Sequence, residues 1–297
     1  MLYKSSSIAK TRSGTAIEIT RAQAGWRFVH FAVRQIAPNR AWSGRTGTSE
    51  CCLVLLAGKC RVIFDGREET LGPRASVFAA YPHAIYLPPG TVFRIEADQL
   101  TELADGRAPA FAKATAGRPV AQQSKREAKV IRPQDCGYEI RGGGNATRQI
   151  VDIIPPAFPA DRLLVCEVFT PSGNWSSYPP HKHDVDRPPH EVKLEEIYYY
   201  RFDHPDAYGI QRLYDRRSEQ AVTVRHGNVM LIRSGYHQFV SAYGYNAYYL
   251  NVLAGTRRSM AASDDPRYAA LRAWPAPDAR MPLVAPPDNR VTERLSE

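Results

Sequence analysis

The segment that decides the fold of this chain is Gly173-Asn-Trp-Ser-Ser-Tyr-Pro-Pro-His181-Lys-His183-Asp184. Successive side chains of a β-strand point to opposite faces, so His181 and His183 share one face, roughly 6.5–7 Å apart. Two imidazoles at that separation can converge on one cation. Glu196 opens the aromatic run Ile197-Tyr-Tyr-Tyr200, and His237 follows a glycine at the start of a later strand. This pattern predicts a metal site built on β-strands.

The residues alone leave two ligand positions open. Glu195 competes with Glu196 for the carboxylate position, and His190 competes with His237 for the third imidazole. Three nitrogens and one carboxylate oxygen suit zinc, manganese, iron, nickel or copper, whereas an all-oxygen site would indicate calcium or magnesium. A His-x-His pair on a surface loop usually binds nothing. The two prolines before this pair and the strand-like run after it favour the metal site.

The rest of the chain also reads as short strands separated by turns. Apolar runs at 51–56, 91–95, 162–169 and 246–253 are bounded by Gly, Pro and Asp, which is typical of a β-sandwich or β-barrel. We therefore expect an all-β fold with two jelly-roll-type barrels, whose interior suits a metal site. No run of about eighteen apolar residues occurs, so no membrane span is predicted.

Composition divides the chain into four segments. Residues 1–104 are predicted to form an N-terminal barrel without metal ligands, because they offer Ser49-Glu50-Cys51 where the second half has His-x-His. Residues 105–132 have few large apolar side chains, which predicts a solvated linker or insertion. Residues 133–258 would form the metal-binding barrel. Residues 259–297 would form a Pro- and Ala-rich tail with one short helix.

Charge and cysteine content limit the partners and the compartment. The formal charge is +9, but the basic residues are scattered and no nucleic-acid-binding signature occurs, so we expect no nucleic-acid partner. A small anionic substrate fits this charge. The five cysteines are odd in number and three of them lie in apolar runs, which predicts buried, reduced thiols and a cytoplasmic protein. A homo-oligomer is compatible with the sequence, which does not decide the number of subunits.

Three segments resemble one known family. The His-x-His segment, Glu195-Glu-Ile-Tyr-Tyr-Tyr-Arg-Phe202 and Tyr248-Tyr-Leu-Asn-Val-Leu-Ala-Gly255 are similar to segments of the bacterial 5-deoxy-glucuronate isomerases. The resemblance spans about residues 25–274 and implies a bicupin. It extends to a ketol-isomerase of pectin breakdown, in which three histidines and one glutamate hold zinc. Matched motif by motif, these ligands fall on His181, His183, Glu196 and His237, with Glu196 preferred because it directly precedes the aromatic strand.

The resemblance also implies a reaction. A metal-dependent aldose–ketose isomerase would convert 5-deoxy-glucuronate to 5-keto-2-deoxy-gluconate in myo-inositol breakdown. Such a reaction moves a proton or a hydride between adjacent carbons, and a metal bound to both oxygens stabilises the enediolate. Two other functions fit the same ligands. One is a cupin dioxygenase with iron, nickel or copper, and the other is a sugar-acid binding protein without turnover.

The implied substrate directs attention to further residues. If Glu196 faces the cavity, Tyr198 and Tyr200 face it too, and both are candidate catalytic residues. A substrate carboxylate favours an arginine partner, for which Arg201 and Arg212 are candidates. Tyr178 is a candidate for stacking on the sugar. Lys182 alternates away from the cavity and is expected at the surface.

Overall fold

The computed structural model describes residues 1–111 and 126–273. Within these residues the regular structure is β-strand, apart from one four-residue helix, α1 (Arg21–Ala24), and three short 3-10 helices, Pro133–Asp135, Gly144–Ala146 and Ala269–Ala273. None of the described helices is long and apolar enough to cross a membrane. The all-β prediction is confirmed.

The N-terminal barrel is a nine-stranded antiparallel sheet folded on itself. The strands of the first half of the chain are β1 (Leu2–Lys4), β2 (Gly14–Ile19), β3 (His30–Ile36), β4 (Arg40–Arg45), β5 (Ser49–Phe64), β6 (Arg67–Arg74), β7 (Ala84–Leu87), β8 (Val92–Ala97), β9 (Thr101–Pro109) and β10 (Lys129–Ile131). The first half of β5 pairs with β7 and β9, and its second half pairs with β6 and β8. The barrel interior is filled by buried apolar side chains such as Leu53, Val62, Phe93 and Ile95.

The C-terminal barrel consists of two facing sheets. Its strands are β11 (Tyr138–Arg141), β12 (Arg148–Ile154), β13 (Leu164–Thr170), β14 (Trp175–Lys182), β15 (Leu194–Phe202), β16 (Tyr208–Tyr214), β17 (Glu219–Arg225), β18 (Asn228–Ile232), β19 (Tyr236–Ser241), β20 (Ala247–Gly255) and β21 (Ser263–Asp264). One sheet has the order β1-β18-β15-β20-β13-β12-β11, and the other has the order β17-β16-β19-β14-β21. The space between the two sheets holds the candidate ligands.

The predicted segment boundaries need correction. Residues 105–109 lie in β9, where Asp105 is fully buried between Arg34 and Arg107, and residues 129–131 form β10. The predicted linker therefore begins and ends inside the N-terminal barrel. The start of the linker was placed too early because the polar residues Asp105 and Arg107 are typical of a solvated segment, whereas Asp105 is buried within a strand. The central part, 112–125, lies outside the described residues.

Both ends of the chain add strands to the C-terminal barrel. Tyr3 in β1 pairs with Val229 in β18, although residues 1–104 were expected to form the other barrel. Near the other end, β21 pairs with β14. The predicted tail therefore contributes to the barrel over residues 263–264, and residues 274–297 lie outside the described part. Strands of two or three residues are too short to show an alternating apolar pattern, so the sequence does not reveal them.

A hydrophobic cluster lies between the two barrels and contains side chains of both. Buried side chains of both halves form a single cluster, in which the rings of Phe31 and Tyr199 lie 5.7 Å apart. A buried ion pair between Arg74 and Glu167 crosses the same boundary, with an Nη2–Oε2 distance of 2.7 Å. All five cysteines are free and buried, which confirms the expectation of buried thiols. The C-terminal barrel is thus held against a second folded body.

Candidate metal centre

The two sheets of the C-terminal barrel bring four side chains together. Glu196 projects from β15 in the seven-stranded sheet. The facing sheet supplies the imidazoles: His181 on β14 lies directly opposite His237 on β19, and His183 follows the end of β14. The alternation along β14 places His181 and His183 on one face, as the spacing predicted.

The side chains converge closely. His183 Nε2 lies 2.8 Å from Glu196 Oε2, and His237 Nε2 lies 3.4 Å from the same oxygen. Ligand atoms of these three residues all lie within 4.8 Å of one another, and all three side chains are buried. His181 is not one of these three, but its ring lies 4.6 Å from that of His237, between centroids.

Backbone carbonyls orient the three imidazoles. The Nδ1 atoms of His181, His183 and His237 lie 3.4, 3.2 and 3.3 Å from the carbonyl oxygens of Pro179, Leu194 and Gly235. An Nδ1–H that donates to a carbonyl leaves the Nε2 lone pair free for a metal. In the described structure His237 Nε2 is buried without a hydrogen-bond partner. A divalent metal would satisfy this atom, so the residues present fit a metal.

The charge state of the cluster also suits a cation. Burial raises the pKa of Glu196, but the hydrogen bond from His183 and the nearby charges of His183 and His237 outweigh burial and hold this pKa at about 2. Its second oxygen accepts a hydrogen bond of 2.8 Å from Asn251 Nδ2. Burial, followed by the charges of His237 and His183, lowers the pKa of His181 well below its ordinary value. The ionised carboxylate and the neutral His181 imidazole are forms that bind metals. Burial lowers the pKa of His183, but the hydrogen bond and charge of Glu196 outweigh burial and raise it, so a metal ion would have to displace the proton of His183.

The structure separates the alternatives that the sequence left open. The carboxylate of Glu195 points away from the cluster and accepts hydrogen bonds of 2.7 to 2.9 Å from the backbone N–H groups of Arg27, Phe28 and Val29. His190 is exposed at the rim of a cleft. Glu196 and His237 are therefore the residues that meet His183.

A cleft of about 1130 Å³ opens beside the cluster and is lined by His181. The register between β14 and β19 shifts between Ser176 and His181, so β14 bulges outward there. Ser177 in the bulge has a φ of 53°, and Tyr178 lines the cleft beside Trp175, with ring centroids 5.8 Å apart. Tyr178 therefore lies in the cleft, and its stacking on a sugar stays a prediction.

The comparison with protein families identifies the chain. The model of the KduI/IolB family matches residues 1–271. The chain belongs to the KduI/IolB family. A relative from Geobacillus kaustophilus, named 5-deoxy-glucuronate isomerase, is 40% identical over 257 residues, which cover 85% of this chain and 89% of the relative. A relative from Bacillus subtilis with the same name is 36% identical, over 84% of this chain and 90% of the relative.

Solved structures extend the comparison to the fold. The crystal structure of an IolB-like protein from Salmonella typhimurium LT2 has 32% identity and a TM-score of 0.82, over 91% of this chain and 98% of that one. The oxalate decarboxylase of Lactobacillus farciminis has 12% identity and a TM-score of 0.59, over 89% of this chain and 88% of that one. The second likeness concerns the fold alone. Together with the two barrels described above, these structures confirm the bicupin prediction.

In this KduI/IolB-family chain, polar side chains around the cluster fix its geometry. Asp184 Oδ2 accepts a hydrogen bond of 2.9 Å from the N–H of Gly235, two residues before His237. Lys182, which was expected at the surface, is partly exposed and has two carboxylate partners there. Its Nζ lies 2.6 Å from Asp184 and 2.8 Å from Glu191, a fully buried carboxylate. These contacts anchor the turn that carries His237.

The structure does not bring the two predicted arginines to the cleft. Arg201 lies on the face of β15 opposite Glu196, where it donates to the hydroxyl of Tyr199 and to Glu102 in the N-terminal barrel. Arg212 donates to Glu219 at 2.7 Å on the outer surface and is absent from the cleft lining. Both arginines already have partners, which corrects the expectation that they bind substrate.

The structure also revises the role of the two tyrosines. Tyr198 and Tyr200 share the face of Glu196, as predicted, but both are buried and neither lines the cleft. The hydroxyl of Tyr198 lies 2.9 Å from Ser177 Oγ, and that of Tyr200 donates to Gln211. Burial raises the pKa of both hydroxyls well above the ordinary value. Neutral, enclosed hydroxyls support the barrel beside the cluster, and a catalytic role for either tyrosine stays a prediction.

One residue of the cleft was not among the candidates. Arg148, the first residue of β12, lines the cleft together with His181 and Tyr178. In the sequence it stands before an apolar run, where a basic residue ordinarily marks the solvated end of a strand. Only the packing of β12 against the bulge of β14 shows that its side chain is buried.

Proposed function

We propose that this chain is a metal-dependent isomerase that converts 5-deoxy-glucuronate to 5-keto-2-deoxy-gluconate in myo-inositol breakdown. The observation that carries the proposal is the convergence of His181, His183, Glu196 and His237 beside an open cleft. The chain belongs to a family whose relatives, 36% and 40% identical, are named 5-deoxy-glucuronate isomerase. The five free, buried cysteines support a cytoplasmic location.

The donor set supports zinc as the metal. Three imidazole nitrogens and one carboxylate oxygen suit a borderline divalent ion, and manganese, iron and nickel accept the same ligands. An ion held by these four residues would act as a Lewis acid and stabilise the negative charge that develops on the substrate, an electrostatic contribution that is commonly the largest one to the rate.

The chain's own residues hold this arrangement and receive the sugar. Asn251 fixes one oxygen of Glu196, so the other oxygen faces the histidines. The backbone carbonyls at Pro179, Leu194 and Gly235 keep each imidazole in the orientation that binds. Tyr178, held by the bulge of β14, offers an aromatic face to the sugar in the cleft.

The proposed activity can be tested on the purified chain. Metal-loaded protein incubated with 5-deoxy-glucuronate should form 5-keto-2-deoxy-gluconate, observed by NMR, and a chelator should abolish the conversion. His237→Ala should lose both metal and activity, whereas Arg212→Met on the outer surface should retain both. Oxygen uptake with bound iron would instead indicate a dioxygenase. Recovery of tightly bound, unchanged sugar acid would indicate a binding protein, and either result would overturn the proposal.

A further inference from the structure

We infer that Arg148 binds the carboxylate of the sugar-acid substrate, an assignment that rests on the proposed function. The cleft has three arginines in the described part of the chain. Arg141 forms an ion pair with Glu139 at 2.6 Å, and Arg272 forms one with Asp264. Arg148 has no carboxylate partner among the described residues. Its charge is therefore the one that an anionic ligand would neutralise.

The burial of Arg148 makes this unpaired charge unusual. The residue is 5% exposed, although buried charges are costly and are normally paired. Its described hydrogen bonds come from Nη1 and go to the backbone carbonyls of Tyr178, at 2.9 Å, and Ala146, at 3.3 Å. Burial lowers the pKa of Arg148 to about 10, so the guanidinium stays charged at neutral pH. Nε and Nη2 remain as donors for a carboxylate.

Arg148 lies in the same cleft as one residue of the metal cluster. The carbonyl that it holds belongs to Tyr178, in the bulge of β14 three residues before His181. Arg148 and His181 line the same cleft. 5-Deoxy-glucuronate carries its aldehyde and its carboxylate at opposite ends. A metal cluster and a free guanidinium in one cleft can hold both ends at once, and an arginine suits a carboxylate through paired hydrogen bonds.

The kinetic test compares Arg148→Met with a matched control, Arg141→Met, which removes a paired arginine from the same cleft. Loss of a charge-assisted contact should raise the KM for 5-deoxy-glucuronate about 10- to 100-fold in Arg148→Met. Activity on 5-deoxy-glucose, which lacks the carboxylate, should not change. Metal content and the unfolding midpoint should also stay at their wild-type values. Arg141→Met should behave as wild type.

A binding measurement separates this assignment from the proposed reaction. Calorimetry with D-glucuronate and D-glucose should show that wild type prefers the acid and that Arg148→Met does not. If wild type does not turn over 5-deoxy-glucuronate but prefers the acid in binding, and Arg148→Met loses this preference, the proposed reaction fails and the role of Arg148 stands. If Arg148→Met weakens acid and neutral sugar equally, or matches Arg141→Met, the role of Arg148 is refuted.

Arg148→Lys covers the case in which the methionine variant does not fold. It keeps the charge but loses the paired donors, so the KM for the acid should rise less than in Arg148→Met and the neutral sugar should be unaffected. A folded lysine variant that loses acid and neutral sugar to the same extent would show that Arg148 serves only to hold the carbonyls of Tyr178 and Ala146.

Discussion

Replacing Glu167 by glutamine should remove roughly 3 kcal/mol from the free energy of unfolding, because it leaves Arg74 charged and unpaired between the two barrels. Both side chains are fully buried, and Arg74 contacts both carboxylate oxygens, at 2.8 and 2.7 Å. Breaking a buried pair by removing one partner costs about 3–5 kcal/mol. The lower end applies because Arg74 keeps hydrogen bonds to the carbonyls of Leu55 and Ala80.

This loss is large against the roughly 5–15 kcal/mol that stabilises an ordinary folded protein. Urea unfolding of the metal-loaded protein can be followed by tryptophan fluorescence, and the free energy of unfolding is extrapolated linearly to zero urea. The difference between variants measures the loss if the dependence of this free energy on urea concentration is the same in both. Arg74→Met/Glu167→Leu removes both charges and should recover most of the stability, since a well-packed apolar pair replaces a buried ion pair at little cost.

A surface pair provides the control for this measurement. Arg61 and Glu68 lie 3.0 Å apart, with side chains 44% and 51% exposed, so Glu68→Gln should leave the unfolding midpoint almost unchanged. If Glu167→Gln costs no more than Glu68→Gln, the buried pair does not join the barrels and the reasoning is refuted. The same conclusion follows if the double variant is less stable than Glu167→Gln.

Two further perturbations probe a buried charge and a required turn. Burial raises the pKa of Asp105, but the hydrogen bond and charge of Arg107 outweigh burial and lower it. The ionised carboxylate therefore stabilises the fold above its unfolded pKa of about 3.9, and this contribution disappears as pH falls through the lower folded pKa. The melting-temperature gap between wild type and Asp105→Asn should narrow below pH 4, and a gap independent of pH would contradict this. Gly235 has a φ of +81°, and an added Cβ would lie 2.6 Å from the carbonyl oxygen of Tyr214. Gly235→Ala should weaken metal binding by calorimetry, whereas Gly244→Ala, which has positive φ but open space, should not; equal affinities would refute the steric argument.

The place of the cluster could be predicted because its signals are local, whereas the choice of Glu196 over Glu195 and of His237 over His190 rested on the family resemblance. The i, i+2 spacing of His181 and His183 follows from the geometry of a single strand. Glu196 stands next to an aromatic run, and His237 stands two residues after a glycine whose positive φ the turn requires. Each feature can be read within a few residues. The convergence of the four then depends only on two facing sheets of one barrel.

The cleft could not be predicted in the same way, because its residues depend on contacts between distant strands. Arg201 looked like a carboxylate ligand, but the second barrel covers its face and supplies Glu102 as its partner. Arg148 gave no signal in the sequence, because only the contact with the bulge of β14 shows that its side chain is covered. Asp105 read as the start of a linker, because its two arginine partners cannot be identified from composition.

The metal content of the purified chain tests the central claim most directly. Elemental analysis should find about one equivalent of a divalent transition metal, zinc foremost, per chain. His183→Ala and Glu196→Ala should each lose it, and Arg212→Met should keep it. Wild-type protein that binds no divalent metal when supplied with it, or ligand variants that bind it as wild type does, would contradict the claim that these side chains form a metal centre.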